Sequence, residues 1–247
     1  MRIQHPSPLC YSLFLLFLAT ATTLISPSLG ALGKCNPSDY KALMNIKKAL
    51  NNPYELTSWK PNTDCCDWYV AKCDRKTNRI NELTLFQSSS VGKLSGQISP
   101  SIGDLPYLEN IVFRNFNITG SIPQSITKLK HLRMLELSHL GLSGPVPNFL
   151  NQLTSLDYLD LSSNQLAFDL TKVKFPKSLT WLILSHNKIF GGIPEEMKAL
   201  DLSHLDVSYN NLCGRIPYGG KMQSFEASSF SHNKCLCGPP MVACKKM

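Results

Sequence analysis

The amino-acid sequence predicts an α/β repeat fold, a right-handed solenoid with a parallel β-sheet on its concave side and a disulfide-bonded cap at each end. Three observations carry this prediction. Leucine-type positions recur at a nearly constant interval, a glycine- and proline-containing motif follows most of them, and the cysteines cluster near the two ends of the chain. A unit of this length cannot bury its own apolar face, so neighbouring units must stack and share one elongated core.

Residues 1–30 have the layout of a secretory signal peptide. Arg2 precedes an apolar run over Leu13–Ile25, and small residues follow up to Gly30. The run is shorter than the roughly 20 residues that a membrane-spanning helix needs, so we favour cleavage near Gly30 over a membrane anchor. This segment predicts a secreted protein.

Residues 31–79 are predicted to form the N-terminal cap. The stretch Asn36-Pro37-Ser38-Asp39 offers a helix N-cap, and apolar residues follow at helical spacing. Trp59 and Trp68 flank Cys65-Cys66, and we expect them to cover the open end of the core rather than to stack on a cofactor. The apolar positions of the helix are Ala42, Leu43, Ile46, Ala49 and Leu50.

About six repeats are predicted over residues 80–217. Each begins an alternating pair of core residues, such as Leu135/Leu137, and a period of two predicts a short strand. After the first, the spacings are 24, 24, 23 and 23 residues. The leading core positions are Leu83, Ile111, Leu135, Leu159, Leu182 and Leu205.

Segments with glycine and proline follow the strands and predict a 3₁₀ or irregular convex side, because proline blocks a regular helix there. They read Gly120-Ser121-Ile122-Pro123, Gly144-Pro145-Val146-Pro147, Gly191-Gly192-Ile193-Pro194 and Gly214-Arg215-Ile216-Pro217. Asn164, Asn187 and Asn210 recur three residues after the second core position. We expect their amides to form a hydrogen-bonded ladder with backbone groups, which is a structural role.

Residues 218–247 are predicted to form the C-terminal cap. Without the signal peptide, eight cysteines remain, four near each end, and an even number in an exported chain favours disulfides. A zinc site is disfavoured, since the spacings match no common finger pattern and we expect no metal or cofactor. The residues themselves do not choose among the 105 possible pairings. The cysteines are Cys35, Cys65, Cys66, Cys73, Cys213, Cys235, Cys237 and Cys244.

The mature chain carries 24 Lys and Arg against 17 Asp and Glu, a formal net charge of +7. A basic exported protein suits polyanionic surroundings, and acidic polysaccharide is a better candidate than nucleic acid. A dispersed excess of lysine that simply aids solubility is an equally good interpretation.

These motifs resemble the polygalacturonase-inhibiting proteins, a plant extracellular leucine-rich-repeat family. The resemblance lies in the repeat consensus and in the caps, including Leu56-Thr57-Ser58-Trp59, Asp64-Cys65-Cys66-Asp67-Trp68, Asn210-Asn211-Leu212-Cys213-Gly214 and Asn233-Lys234-Cys235-Leu236-Cys237-Gly238. It implies a monomeric protein of the plant cell wall that inhibits fungal or insect polygalacturonases in plant defence by docking them on the concave sheet. It also implies four local disulfides: Cys35–Cys65, Cys66–Cys73, Cys213–Cys235 and Cys237–Cys244.

The chain departs from that family in its repeat number. The family carries roughly ten repeats, whereas about six are present here, so we expect that middle repeats are missing from the pattern. The junction is predicted within Leu156–Leu170, where an early-repeat strand meets a late-repeat signature. Because repeat stability is local, a shortened solenoid is still expected to fold between its caps.

The residues that flank the core positions of each strand face the concave side and form the predicted docking surface. Tyr158 and Trp181 stand out, because exposed aromatic residues commonly anchor interfaces. The full predicted set is Val112, Arg114, Arg133, Glu136, Ser138, His139, Asp157, Tyr158, Asp160, Thr180, Trp181, Ile183, His186, Ser203, Asp206 and Tyr209.

Catalysis is not expected, since the chain shows no nucleophile elbow, phosphate loop or metal-binding pair. His139 and His186 occupy the same strand column but lie two repeats apart, roughly 10 Å by strand spacing. Two binding roles remain as alternatives to inhibition: a soluble receptor-like ectodomain, and a protein that adsorbs to pectin or ice. The regular Thr or Asn row typical of ice binding is missing from the mixed concave columns.

Asn117-Ile118-Thr119 is an acceptor sequence for N-glycosylation, and Asn36-Pro37-Ser38 is blocked by its proline. Asn117 follows a predicted strand, where a glycan would project into solvent. We therefore expect a glycan at Asn117.

Overall fold

A computed structural model of the chain describes residues 35–86, 94–144 and 150–245. The predicted signal segment and the Pro145–Pro147 part of one glycine–proline motif lie outside these residues. Numbered along the chain, the described strands are β1 (Ala71–Cys73), β2 (Ile80–Phe86), β3 (Ser95–Gln97), β4 (Asn110–Arg114), β5 (Asn117–Gly120), β6 (Met134–Ser138), β7 (Gly141–Gly144), β8 (Tyr158–Asp160), β9 (Gln165–Leu166), β10 (Trp181–Ile183), β11 (Phe190–Gly191), β12 (His204–Asp206), β13 (Asn211–Arg215) and β14 (Cys235–Cys237).

The N-terminal cap is built on helix α1, Pro37–Ala49. The Asn36 side chain accepts a hydrogen bond from the Ser38 backbone N–H at 2.9 Å, which satisfies one of the free donors at the helix start. Ala42, Leu43 and Ile46 are buried, as their helical spacing predicts. Trp59 and Trp68 are also buried and stack with ring centroids 5.4 Å apart, so the predicted cover of the core is confirmed.

Asp39 ties this helix to the first repeat. Its side chain is 1% exposed and accepts hydrogen bonds from Arg79 Nε at 2.9 Å, Arg79 Nη2 at 2.7 Å and the Ile80 backbone N–H at 2.9 Å. A buried carboxylate is tolerated because each oxygen has a donor.

The main sheet has the strand order β1-β2-β4-β6-β8-β10-β12. β1 is antiparallel to β2, and the remaining neighbours are parallel. The leading core residues pair directly, for example Leu135 with Leu159 and Leu159 with Leu182. We number the repeats 1 to 6 by their buried core pairs, which are Leu83/Leu85, Ile111/Phe113, Leu135/Leu137, Leu159/Leu161, Leu182/Leu184 and Leu205/Val207.

The opposite side is more regular than the sequence predicts. It contains the expected 3₁₀ segments, but short strands also form a parallel four-stranded sheet, β3-β5-β7-β9, and a three-stranded sheet, β11-β13-β14. The 3₁₀ segments of this side and of the caps are Tyr54–Leu56, Cys65–Asp67, Pro100–Asp104, Gln124–Lys128, Leu150–Gln152, Leu170–Lys172, Glu195–Ala199, Met222–Ser224 and Ala227–Phe230.

The predicted asparagine ladder is confirmed, and it joins neighbouring repeats. The Asn164 amide donates to the carbonyls of Leu137 at 2.7 Å and Leu161 at 3.1 Å, and its Oδ1 accepts from the Leu142 N–H at 3.1 Å. Asn187 and Asn210 repeat this pattern. Each asparagine therefore fixes the turn that links a strand of the main sheet to the short strand on the opposite side.

The ladder continues into the C-terminal cap, beyond the predicted end of the repeats at residue 217. Asn233 donates to the Val207 carbonyl at 3.0 Å and accepts from the Leu212 N–H at 3.0 Å. The segment before it also accepts hydrogen bonds from Val207 and Tyr209. The C-terminal cap thus supplies a seventh, incomplete repeat. It covers the edge of the last complete repeat, which contains Val207.

The eight cysteines form the four local disulfides that the family resemblance implies: Cys35–Cys65, Cys66–Cys73, Cys213–Cys235 and Cys237–Cys244. The sulfurs of Cys35, Cys66 and Cys73 lie within 4.8 Å of one another. Since all three are in disulfides, they offer no thiolate to a metal ion.

Candidate functional site: the outer face of the main sheet

Three columns of side chains cross the repeats on the outer face of the main sheet. The first, the pre-core column, contains Met134, Tyr158, Trp181 and His204, which are direct strand partners. The second, the mid-strand column, contains Val112, Glu136, Asp160, Ile183 and Asp206. The third, the turn column, follows each strand and contains Asn115, His139, Ser163, His186, Tyr209 and His232, all with φ between 52° and 65°.

Aromatic rings of the pre-core column form a continuous stack in repeats 4 to 6. Tyr158 and Trp181 have ring centroids 5.8 Å apart, and Trp181 and His204 have centroids 4.2 Å apart. The interplanar angles are 19° and 17°, so the rings are nearly parallel. We call Tyr158, Trp181 and His204 the strand stack. Parallel strand spacing of about 4.8 Å sets this geometry, since it places equivalent side chains of neighbouring strands within the range of aromatic stacking.

A second stack lies in the turn column. Tyr209 is sandwiched between His186 and His232, with a centroid distance of 4.1 Å on each side. We call these three residues the turn stack. The pre-core and turn columns are five positions apart in sequence, so the two stacks lie at most about 16 Å apart along the strand direction. Between them lie the mid-strand residues Asp160, Ile183 and Asp206.

The predicted exposure of the docking residues is correct for most of them and wrong for three. Glu136, Ser138 and Asp160 are only 3%, 2% and 8% exposed. Glu136 is covered because Arg114 forms an ion pair with it and Ser138 Oγ donates to it at 3.0 Å. These three residues face the outer side but lie beneath neighbouring side chains.

The other thirteen predicted residues are accessible. Seven are exposed, namely Arg114, Arg133, His139, Thr180, His186, Ser203 and Tyr209. Six are half-buried, namely Val112, Asp157, Tyr158, Trp181, Ile183 and Asp206.

Two members of the stacks, His204 and His232, are not in the predicted set. His204 directly precedes the core residue Leu205 and therefore follows the same rule as Tyr158 and Trp181. His232 belongs to Ser231-His232-Asn233, which repeats Ser208-Tyr209-Asn210 and Ser185-His186-Asn187. This Ser-x-Asn pattern is the sequence signal that identifies the seventh, incomplete repeat.

Burial changes the ionisation of the centre of this face. Desolvation raises the pKa of Asp160, and the nearby Glu136 carboxylate adds to the effect. A hydrogen bond from Ser162 opposes this shift without cancelling it. Desolvation and the charge of Asp160 also raise the pKa of Tyr158 to about 12. At neutral pH Tyr158 is therefore an uncharged hydroxyl group beside buried carboxyl groups.

The part of the outer face that carries the strand stack and the turn stack contains few positively charged residues. Segments 157–163, 180–186, 203–209 and 229–232 contain no lysine or arginine, although the chain has 25 such residues. Two arginines of the preceding repeats lie beside these segments: Arg133 pairs with Asp157 at 3.1 Å, and the charge of Arg114 acts on Tyr158 and Asp160. Exposed lysines of the same repeats lie outside these segments, at Lys172, Lys174, Lys177, Lys188 and Lys198.

Asn117, the predicted glycosylation site, is exposed at the first residue of β5. It lines a shallow hollow of about 520 Å³ together with Phe116, His139 and Leu140. The side chain is therefore accessible at the rim of the main sheet. Among the described residues, no helix has the length and apolarity that crossing a membrane requires.

Family models match both the cap and the repeats. A family described as leucine rich repeat N-terminal domain matches residues 36–74. A family described as Leucine Rich Repeat matches residues 178–200 and 201–220. The crystal structure of a pollen receptor kinase 3 has a TM-score of 0.65 and 28% identity, and the match covers 82% of this chain and 99% of that one.

Two relatives carry the family assignment. A polygalacturonase inhibitor from Vitis vinifera is 41% identical over an alignment of 331 positions, covering 95% of this chain and 97% of the relative. A polygalacturonase inhibitor from Pyrus communis is 38% identical, covering 95% and 99%. Since this chain has 247 residues, at least 84 of the 331 positions lie opposite gaps in it, which is more than three repeats. With its fold, caps and disulfides as described, this chain belongs to the polygalacturonase-inhibitor family of leucine-rich-repeat proteins.

Proposed function

We propose that this protein is an extracellular inhibitor of a fungal or insect polygalacturonase and acts in plant defence at the cell wall. It works by binding the enzyme and has no catalytic activity of its own. The observation that carries the proposal is the 41% identity to a polygalacturonase inhibitor over 97% of that relative's length. Its intact caps support secretion, because disulfides persist in oxidising compartments.

The enzyme docks on the outer face of the main sheet, with the two aromatic stacks at the centre of the contact. Trp181 is half-buried and held on both faces by Tyr158 and His204, so little side-chain entropy is lost when a partner covers it. Large, preorganised aromatic groups commonly dominate the binding energy of protein interfaces. The exposed Arg114 and Arg133 at the other end of the face orient the partner.

The inhibition test is the release of reducing ends from polygalacturonan by a panel of fungal and insect polygalacturonases, with and without the purified protein. We expect the protein to suppress release by at least one enzyme when it is in molar excess. Full residual activity across the panel contradicts the proposal.

Trp181→Ala tests the docking face. We expect at least tenfold weaker inhibition, because truncation removes the centre of the strand stack and typical hot-spot losses exceed 2 kcal/mol. Tyr218→Ala is the matched control, since Tyr218 is a 75% exposed aromatic residue of the C-terminal cap. Equal inhibition by the two variants contradicts docking on this face.

Pectin binding is a second candidate, supported by exposed lysines away from the main sheet such as Lys172, Lys174 and Lys177. Sedimentation with insoluble pectin tests it. Salt-sensitive binding of pectin by a preparation that leaves every enzyme active favours adsorption over inhibition. A receptor-like role is favoured instead if the protein binds neither pectin nor any enzyme of the panel.

We also propose that Asn117 carries an N-linked glycan, as its exposure in an acceptor sequence supports. Glycosidase treatment of the secreted protein should lower its mass by that of one glycan. An unchanged mass contradicts this proposal.

A further inference from the structure

The hollow that Asn117 lines has an apolar floor and a polar rim, and we call it the Asn117 hollow. Its volume is about 520 Å³. Phe116 and Leu140, which are only 5% and 8% exposed, form the floor. The exposed residues Asn115, Asn117 and His139 stand at the rim. Sites for small molecules commonly combine such an apolar surface with a few polar groups that fix orientation.

Gly141 gives the Asn117 hollow its space. Its φ lies outside the left-handed region, so the backbone does not require a glycine at this position. A Cβ there would lie 3.1 Å from Thr119 Cγ2 and 3.9 Å from Asn117 Oδ1, so any side chain would stand beside Asn117. The other repeats do have a side chain here: the fourth residue after the second core position is Asn117, Gly141, Gln165, Lys188 and Asn211 in repeats 2 to 6.

The floor of the hollow interrupts the asparagine ladder. The third residue after the second core position is asparagine in repeats 4 to 6, but it is Phe116 in repeat 2 and Leu140 in repeat 3. Asn164 bonds its repeat to the preceding one through the Leu137 carbonyl and the Leu142 N–H. A leucine side chain has no polar atom, so Leu140 cannot bond repeat 3 to repeat 2 in this way. Repeats 2 and 3 therefore meet here through apolar contacts at the edge of the solvent.

A second hollow of about 430 Å³ also borders Asn117, but its chemistry differs. Its lining includes the polar side chains of Asn51, Ser95, Gln97 and Thr119. The Asn51 amide already donates to the Ser95 carbonyl at 3.2 Å. This second hollow offers little apolar surface to a ligand. Of the two, the Asn117 hollow suits a group that is apolar on one side and polar on the other.

We propose that the first N-acetylglucosamine of a glycan on Asn117 occupies the Asn117 hollow and stabilises the contact between repeats 2 and 3. Its acetyl methyl group and ring C–H bonds cover Phe116 and Leu140, and its hydroxyl groups face the rim. Burial of that apolar surface occurs only in the folded chain, so it favours folding. The inference rests on the glycan proposed at Asn117 and is independent of polygalacturonase inhibition.

The covalent bond makes this contact intramolecular. On attachment, C1 of the sugar replaces one hydrogen of Asn117 Nδ2, and the diphosphate of an activated sugar donor is the leaving group. A short link of this kind holds the sugar beside the hollow at an effective concentration of about millimolar or more. Contacts that are too weak to bind free N-acetylglucosamine therefore suffice.

The test compares identical sequences with and without the sugar. A eukaryotic host that adds high-mannose glycans secretes the glycosylated protein, and an endoglycosidase that cuts between the first two sugars leaves one N-acetylglucosamine. Export to a bacterial periplasm gives the bare chain with its disulfides, and mass spectrometry verifies each form. We expect the one-sugar protein to have a Tm at least about 2 °C above that of the bare chain. The complete glycan should add less than about 1 °C to this gain.

Gly141→Gln fills the hollow with the residue that repeat 4 has at the same position. We expect the gain in Tm from one sugar to fall below about 0.5 °C in this variant. The one-sugar and bare forms of the variant share any strain from the new Cβ against Thr119, so their difference reports the sugar alone. A gain as large as that of wild type overturns the inference.

A moved glycan is the matched control. Thr119→Val removes the acceptor sequence but keeps the shape of the side chain, and Gln165→Asn with Ala167→Thr creates a new acceptor in repeat 4. Gln165 is exposed at the first residue of β9, as Asn117 is at the first residue of β5. The two glycans thus share their position in the repeat and their exposure.

The moved sugar lacks an apolar floor. The ladder residues Asn164 and Asn187 stand where Phe116 and Leu140 line the Asn117 hollow, and Lys188 takes the place of Gly141. We expect no gain in Tm from one sugar at this position. An equal gain at both positions is a general effect of glycosylation and overturns the inference. If secreted wild type carries a sugar on Asn117 without any gain, the inference fails and the glycan proposal stands, whereas a secreted chain without sugar overturns both.

Discussion

At the scale of single residues, the asparagines of repeats 4 to 6, Asn164, Asn187 and Asn210, bond neighbouring repeats together. Asn164 is 4% exposed and bridges two repeats with one acceptor and two donor hydrogens. Its partners are backbone groups of Leu137, Leu142, Leu161 and Ser162, which water cannot reach once the repeats stack. Leaving such groups unpaired costs more than the net value of a hydrogen bond.

Asn164→Ala should therefore lower the free energy of unfolding by about 3 kcal/mol. Chemical denaturation monitored by circular dichroism measures this change. Asn151→Ala is the control, since Asn151 is exposed in a 3₁₀ segment and should change stability by less than about 0.5 kcal/mol. Equal losses in the two variants contradict the role of the ladder.

Asp160 gives a pH-dependent prediction. Because its folded-state pKa is raised above 3.8, the folded chain holds this proton more tightly than the unfolded chain does. Wild-type stability therefore falls as pH rises through the window between 3.8 and the raised pKa. Asp160→Asn has no proton to lose, so it should be more stable than wild type at pH 7, with the difference disappearing below about pH 4.

Asp169→Asn is the opposite-sign control. Hydrogen bonds from Thr171 lower the pKa of Asp169, so its carboxylate stabilises the folded state at neutral pH and this contribution is lost on acidification. We expect Asp169→Asn to be less stable than wild type at pH 7. Denaturation curves at several pH values check both variants, and matching signs for the two contradict the assignment.

Residue-level prediction from sequence succeeded where one rule applies in every repeat. The core pairs, the asparagines of repeats 4 to 6 and most exposed strand positions follow from the period alone. The burial of Glu136 does not, because it depends on the long side chain of Arg114 in the neighbouring repeat. The two stacks likewise depend on which residues meet across repeats that are 23 residues apart in sequence.

At the scale of elements, the four-stranded sheet β3-β5-β7-β9 is a feature that the repeat pattern does not predict. Its strands contain alternating buried residues, such as Ile118 in β5 and Leu142 in β7. Strands this short give little periodic signal, and here they are fixed by the asparagine ladder and by stacking. The 3₁₀ segments were predictable because proline and glycine mark them locally.

The 3₁₀ segments pack closely enough to limit side-chain size at Gly103. A Cβ there would lie 2.3 Å from the Ser125 carbonyl oxygen and 2.7 Å from Ser125 Cβ in the next repeat. Gly103→Ala should lower the free energy of unfolding by about 1–3 kcal/mol, because neighbouring repeats must move apart. Urea denaturation measures the loss.

Gly192→Ala is the matched control for that prediction. Its added Cβ would meet the Cys213 carbonyl oxygen at 3.4 Å and Thr171 Cγ2 at 3.6 Å, which are ordinary contacts. The variant should be as stable as wild type or slightly more stable, because alanine reduces the freedom of the unfolded chain. An unaffected Gly103→Ala protein contradicts the packing argument.

At the scale of the whole molecule, the repeats form a stack in which each repeat contacts its neighbours. The alignment with the Vitis vinifera inhibitor leaves at least 84 positions without a counterpart, yet the core and the ladder are continuous. In such a stack, stability is approximately a sum of repeat and neighbour terms. Repeat number is therefore free to change by whole units without loss of the caps.

Deleting residues 134–157 tests this property. The deletion joins Arg133 to Tyr158, which is the strand partner of Met134, so β8 takes the place of β6 beside β4. Asp160 then occupies the mid-strand position of Glu136 next to Arg114, and Asn164 replaces the lost turn contacts with those of repeat 2. We expect a folded protein with all four disulfides and a urea m value lower by about a tenth, in proportion to the surface lost.

Deleting only residues 134–145 should have the opposite outcome, although half as much chain is removed. It places Val146-Pro147 where a strand is required, and proline cannot donate to the sheet. Core residues of repeats 2 and 4 would then be out of register, which moves apolar side chains to solvent. Circular dichroism and urea denaturation compare the stability of the two deletion variants. If the 12-residue deletion is as stable as the 24-residue deletion, the register between whole repeats does not control this fold.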